Sequence, residues 1–205
     1  DAPLSNLQLH SNLAMQLSSI ESARYPHLVQ SMVAAIMPTA VYAQHRDAGL
    51  GLPTPRATGD RPLRIAWVTG DLAPHPVSRF LLGFFEASEG RRQHQHLLVS
   101  VTNHGSESSA HLFAPFQGLE IVDVTAHQEH HRVTAIRALQ ADLAIDLSGW
   151  TGGHYMAGFM ARLAPVQVNY LGYHATAGVP QMDFWLGGSA LFPEPGKEGQ
   201  DRKST

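Results

Sequence analysis

From Leu63 onward, apolar residues fall in short runs separated by segments of helical spacing. Leu63–Thr69, His96–Val101, Leu119–Val124, Asp142–Leu147 and Val166–Leu171 read as strands. Between them Val77–Ala87, Ser108–Phe116, Gln128–Gln140 and His154–Leu163 have helical character, weakest in Ser108–Phe116. Strands alternating with helices of about ten residues predict βαβ units. The fold class expected is therefore α/β, a Rossmann-like parallel sheet flanked by helices, with right-handed crossovers.

Upstream, apolar residues at Leu4, Leu7, Leu9, Leu13, Leu17 and Ile20 form a helical stripe. A second apolar stretch, Leu28–Tyr42, carries Val29, Met32, Val33, Ile36 and Met37 and is interrupted at Pro38. The run GLGLPTPRATGDRP (49–62) leaves little room for regular structure and predicts a linker or surface loop. At the other end GKEGQDRKST (196–205) has no large apolar residue, cannot bury a core, and is expected to lie outside the fold. The expected organisation is a helical segment with linker over 1–60, a Rossmann-like domain over 61–190, and a polar tail over 191–205.

Composition then removes several function classes. The 205 residues contain no cysteine, which excludes disulfide scaffolds, thiolate metal sites and thiol catalysis. That fits a reducing, cytoplasmic setting. A formal charge of −3 argues against a dedicated nucleic-acid binder, which shows a basic footprint. No apolar run approaches the roughly 18 residues of a membrane span, so no membrane partner is expected. The opening Asp1-Ala2-Pro3 has no basic region or cleavage site of a signal peptide, and the missing initiator Met suggests a cut from something longer. Of the fourteen cations only Lys197 and Lys203 are lysines, both in the last nine residues.

In an open α/β sheet, ligands bind outside the carboxyl ends of the strands. That selects the loops Gly70–Val77, Asn103–Ser106, Ser148–His154 and Gly172–Pro180. In the first, His75 sits between Pro74 and Pro76 on a stiffened backbone. An imidazole there suits general-base work near neutral pH, although most of the thirteen histidines must be plain surface side chains. The loop Asp146-Leu147-Ser148-Gly149-Trp150-Thr151-Gly152-Gly153-His154 has three glycines that let backbone N–H groups approach an anion. An ordinary tight turn also needs one or two. Asp146 can accept from a ligand hydroxyl, cap the following helix or pair with an arginine. Tyr173 and His174 add two polar rings to the loop after the fifth helix-linked strand.

Familiar fingerprints are missing: no GxGxxG follows the first strand, and there is no GxxxxGK[ST], HExxH or GxSxG. His94 with His96, and His127 with His130 and His131, have spacings that permit a metal, but a solvated polar face explains them without one. A receiver domain would share the topology and an acid such as Asp71. It would also need a Lys where this chain reads Asn169-Tyr170-Leu171-Gly172.

Three stretches together resemble the O-linked N-acetylglucosamine transferase family, especially its bacterial homologues: LRIAWVTGDLAPHPVSRFL (63–81), AIDLSGWTGG (144–153) and RLAPVQVNYLGYHATAGVPQMDF (162–184). The resemblance covers about residues 61–187. It implies a two-domain glycosyltransferase of the B type, in which this chain is the acceptor-side half. Residues 1–60 would be the helical segment linking a tetratricopeptide array to the core. By the resemblance His75 is the general base, while Asp146, Thr151, Tyr173 and His174 lie near the sugar and diphosphate. The implied reaction is inverting transfer of N-acetylglucosamine from UDP-GlcNAc to a Ser or Thr hydroxyl of a protein or peptide acceptor. The donor-binding C-terminal domain, with its Lys, has no counterpart here. No DxD occurs, which agrees with a metal-independent, cofactor-free mechanism. The competing class is a non-catalytic Rossmann-like module that docks a protein partner.

Overall fold

The computed structural model describes residues 27–35, 37, 51–56, 59, 61–87, 93–102, 110–173 and 176–188. The helix expected over 4–20, the polar tail, and His174 lie outside them. Helix α1 covers 27–35. Then follow β1 (Arg64–Thr69), α2 (Pro76–Ala87), β2 (Gln95–Ser100), a 3₁₀ turn (Ala110–Leu112) and β3 (Leu119–Asp123). The second half contains α3 (Glu129–Ala138), β4 (Leu143–Asp146), α4 (Met156–Met160), β5 (Val166–Tyr170) and β6 (Phe184–Leu186).

The six strands form one sheet in the order β3-β2-β1-β4-β5-β6, and every neighbouring pair is parallel. This is the doubly wound α/β arrangement that the alternation of runs predicts. Val77, Leu81 and Phe85 recur every four residues on α2 and bury against Ile65, Trp67, Leu98 and Ile145 on one sheet face. The other face buries Ala66, Val68, Leu97, Val99 and Ala144 under α3 (Val133, Ile136), α4 and Val29 and Val33 of α1. Each fully buried Leu or Phe contributes about 1.5–3 kcal/mol. Phe85 is the hub of the α2 face, with Trp67 at 5.7 Å, His96 at 5.2 Å and Phe116 at 5.8 Å between ring centroids.

Three differences from the sequence reading have local causes. The weak helix over 108–116 is, among its described residues, only a 3₁₀ turn. The helix expected over 154–163 shrinks to Met156–Met160, because Arg162 adopts a left-handed φ of 66° and Pro165 follows closely. Its guanidinium secures that conformation by donating to the Gln181 and Pro165 carbonyls and to Asp183 Oδ2 at 2.7–2.8 Å. β6 was not expected, since three residues carry no readable alternation.

The linker over 49–62 is held to the sheet where it is described. Asp142, just ahead of β4, accepts from Arg56 Nε and Nη2, from both terminal nitrogens of Arg61, and from the Arg64 backbone N–H at 2.8 Å. Arg137 of α3 donates to the Gly51, Ala161 and Arg162 carbonyls. With two guanidiniums beside it, Asp142 is held well below the usual carboxylate range. A depressed folded value adds stability that is present above the unfolded value near 3.9 and lost as pH falls. Asp142→Asn is therefore expected to lower the denaturation midpoint at pH 7. The gap from wild type should be constant at neutral pH, begin to narrow below about pH 4 and keep narrowing as pH falls further; a gap that does not narrow on acidification would mean that charge is not what holds the linker.

Candidate functional site

β1 and β4 are hydrogen-bonded neighbours, yet the chain leaves them toward opposite edges of the sheet. The loops that follow them therefore face each other at the topological switch point, where open α/β sheets place ligands. The chain packs tightly there. A Cβ on Gly70 would overlap the Gly153 carbonyl oxygen, one on Gly149 would overlap the Tyr173 side chain, and one on Gly172 would overlap the Leu147 carbonyl oxygen. These glycines let strand meet strand, so their presence needs no ligand. Gly152, by contrast, has open space around it and is exposed.

Asp146 closes the end of β4. It is 1 % exposed, and its carboxylate accepts from the Ser148 N–H (3.1 Å), the Gly149 N–H (2.9 Å) and Asn169 Nδ2 (2.6 Å). These bonds give it a role outside the three open in the sequence, shaping its own loop, in which Gly149 takes a φ of 56°. Burial pushes its pKa up to about 6 despite these donors, and the negative charge of Asp71 adds to the shift. Ser148 is the rivet between the loops. Its hydroxyl accepts the Gly70 N–H and donates to Asp71 Oδ2, both at 3.3 Å.

His75 follows two consecutive tight turns (Ala73 N–H to Asp71 O, His75 N–H to Ala73 O) and caps α2. Its carbonyl accepts the Arg79 N–H, and its Nδ1 accepts the Val77 N–H at 3.3 Å. The ring is half-buried, at the same end of the sheet as the Gly149–Gly153 loop. Thr151 is half-exposed and donates its hydroxyl to the Ser148 carbonyl at 2.6 Å. Tyr173 is 2 % exposed and lies over Gly149. The sequence reading missed Asp71, Ser148 and Asn169 as site-forming residues. Two acids at the ends of adjacent parallel strands were the available signal.

Other motif residues act as clamps. Gln167 accepts the Leu163 N–H and donates to the Phe159 and Gln181 carbonyls, while Asp183 accepts from Arg162 and the Gln167 N–H. The His94–His96 pair does not gather at a metal-like site: His94 Nδ1 accepts the Leu63 N–H, and buried His96 Nδ1 accepts Trp67 Nε1–H at 3.0 Å. Among the described residues no helix is long and apolar enough to cross a membrane.

A doubly wound parallel sheet with its loops gathered at the switch point defines a Rossmann-like domain. More particularly, residues 38–194 match Glycosyl transferase family 41, and the chain belongs to that family. The chain is 26% identical over 143 residues to a probable UDP-N-acetylglucosamine–peptide N-acetylglucosaminyltransferase, SEC, of Arabidopsis thaliana, covering 70% of this chain and 14% of that protein. It is 25% identical over 146 residues to the Arabidopsis thaliana SPINDLY protein of the same description, covering 69% and 16%. Among solved structures, an O-GlcNAc transferase mutant (K341M) of Thermobaculum terrenum superposes with a TM-score of 0.61 at 23% identity, over 96% of this chain and 40% of that one. The chain thus spans about one-seventh of the length of these curated relatives. The last likeness establishes the fold.

Asp146 supplies a pH test of this geometry. A raised folded pKa gives stability that is complete below the unfolded value near 3.9 and is lost as pH rises through about 6. The stability of wild type relative to Asp146→Asn should accordingly fall by up to about 3 kcal/mol between pH 4 and 7. A difference that is flat or rises over this range would mean that Asp146 is not buried as a strained carboxylate.

Proposed function

We propose that the protein of which this chain is part transfers N-acetylglucosamine from UDP-GlcNAc to a Ser or Thr hydroxyl of a protein acceptor, with inversion, and that this chain is the acceptor-side half of its catalytic region. The observation that carries the reading is the placement of His75 at the switch point of a family 41 domain. In the proposed step the acceptor oxygen attacks the anomeric carbon, the bond to UDP breaks with its electron pair on the diphosphate, and the hydroxyl proton passes to His75 Nε2. No metal or cofactor is assigned a part.

The cap bond sets a condition on that proton transfer. With Nδ1 accepting from Val77, the neutral ring carries its proton on Nε2, the wrong tautomer for a base. Taking a proton there requires the Nδ1–H form and release of the cap. A neutral bond as long as 3.3 Å is worth at most about 1 kcal/mol, small against the 10²–10⁴-fold contribution of a general base. The base role is therefore affordable. In the full-length protein, His75→Ala should lower turnover by about 10²–10⁴-fold with little change in stability. Wild-type rates in a folded variant would remove His75 from the chemistry.

The diphosphate needs cations or N–H donors as it leaves. Four of the described arginines are committed elsewhere, Arg56 and Arg61 to Asp142, Arg137 to three carbonyls and Arg162 to Asp183, which leaves Arg79 on the first turn of α2 as the described arginine nearest His75 in sequence. The proposed C-terminal domain supplies most of the donor affinity. Calorimetry should then find UDP binding to residues 1–205, checked for native circular dichroism, at least about 100-fold weaker than to the full-length protein, a gap of ~2.7 kcal/mol. Equal affinities would move the donor site into this half.

A further inference from the structure

The second loop of the switch point carries an imidazole that the reading above does not use. From Asp146 to Trp150 and again from Tyr155 to Ala161 every residue is buried; between them Thr151, Gly152, Gly153 and His154 form the open lip of the crevice. His154 is only half-buried by its surface, but its ring is fixed from two sides. Its Nδ1 accepts the Met156 N–H at 3.4 Å, and the ring stands edge-on to Trp150 at 5.1 Å. Trp150 is itself immobilised, fully buried with Nε1–H donating to the Ala177 carbonyl at 2.7 Å. The arrangement repeats that of His75, whose Nδ1 takes the N–H two residues on. The two loops touch where Gly70 abuts the carbonyl of Gly153, the residue before His154.

An imidazole whose Nδ1 accepts a backbone N–H keeps its proton on Nε2 when neutral and offers a single N–H donor on the side away from the helix. We propose that His154 is a binding residue of this site, presenting Nε2–H to an acceptor oxygen of the bound sugar nucleotide from the wall opposite the His75 loop. The inference rests on the glycosyltransferase reading and deepens it. Burial drives the His154 pKa down to about 4, so the ring stays an uncharged donor across the neutral range. An uncharged donor on a rigid mount can hold an oxygen without having to be desolvated as a cation. The acceptor oxygen belongs either to the diphosphate or to the sugar, and the two are separable by probe.

The test uses the full-length protein with ¹⁵N-labelled histidine. The His154 ring, assigned by loss of its signals in His154→Asn, is expected to show an unprotonated Nδ1 and a protonated Nε2 from pH 6 to 8. Its Nε2–H resonance should move on adding UDP if the partner is the diphosphate, or only with UDP-GlcNAc if it is the sugar. A protonated Nδ1, or an Nε2–H signal that stays still while UDP-GlcNAc demonstrably binds, overturns the inference and leaves the glycosyltransferase reading standing. Absence of UDP-GlcNAc binding overturns both. Kinetics give a second readout. His154→Asn keeps an acceptor for the Met156 N–H but loses the distal donor, and should raise KM for UDP-GlcNAc roughly five- to tenfold. His154→Gln, whose amide nitrogen reaches the Nε2 position, should recover most of that loss. A purely structural His154 would instead lower stability in both variants without separating their KM values.

Discussion

The switch-point architecture depends on one buried carboxylate. Asp146 ends β4 with 1 % exposure and satisfies the two backbone N–H groups that turn the chain over Gly149, together with the amide of Asn169 on β5. Without an acceptor there, those N–H groups would be buried and unpaired, at a cost of about 1–3 kcal/mol each. Through Ser148 the same turn reaches the β1 loop, where the hydroxyl joins Gly70 to Asp71. Three loops from three strands are thus fixed in place by short polar contacts and glycine-to-backbone packing. The geometry at this end of the sheet is set before any ligand arrives, and pre-organisation of that kind lowers the cost of binding.

Two aspartates four residues apart on the same stretch of chain show how environment decides what a carboxylate does. Asp142 meets two guanidiniums at the amino end of β4, so its ionised form is favoured. Asp146 meets neutral donors in a dry setting with another acid nearby, so its ionised form is disfavoured. The first is suited to pinning a linker by charge. The second stores strain at the edge of the candidate site, where a perturbed group is most often found. The residue type is identical, and desolvation against charge pairing makes the difference.

Most of the fold was legible because burial on both faces leaves a strong mark in a parallel strand. β1, β2, β4 and β5 are short apolar runs, and each was read to within about a residue of its observed bounds. β6 escaped because three residues at a sheet edge, with Phe184 64 % and Leu186 51 % exposed, lack both length and a buried face. The linker was read from its Pro and Gly content, but its attachment was not. Arg56 and Arg61 meet Asp142 across some eighty residues, and no local pattern encodes that. Similarly, Arg162 reads as a helical residue until Asp183 and the Gln181 carbonyl, contributed by a later segment, hold it in the left-handed region.

The glycines of the switch point show where sequence logic stops. A Gly-rich loop leading into a helix is equally suited to cradling a phosphate and to letting its own backbone pass close to another segment. Gly149 and Gly172 belong to the second kind, since Tyr173 and Leu147 occupy the space a side chain would need. Gly70 does too, and its contact with Gly153 brings the His75 and His154 loops together. Packing glycines therefore narrow the chemistry of the crevice instead of supplying it. With the N–H groups of Ser148 and Gly149 donated to Asp146, and the Thr151 hydroxyl donated to the Ser148 carbonyl, the recognition proposed above falls to side chains at the open lip. Two imidazoles tethered through Nδ1 are what the described residues place on the two loops, and each directs its remaining nitrogen away from the helix it caps.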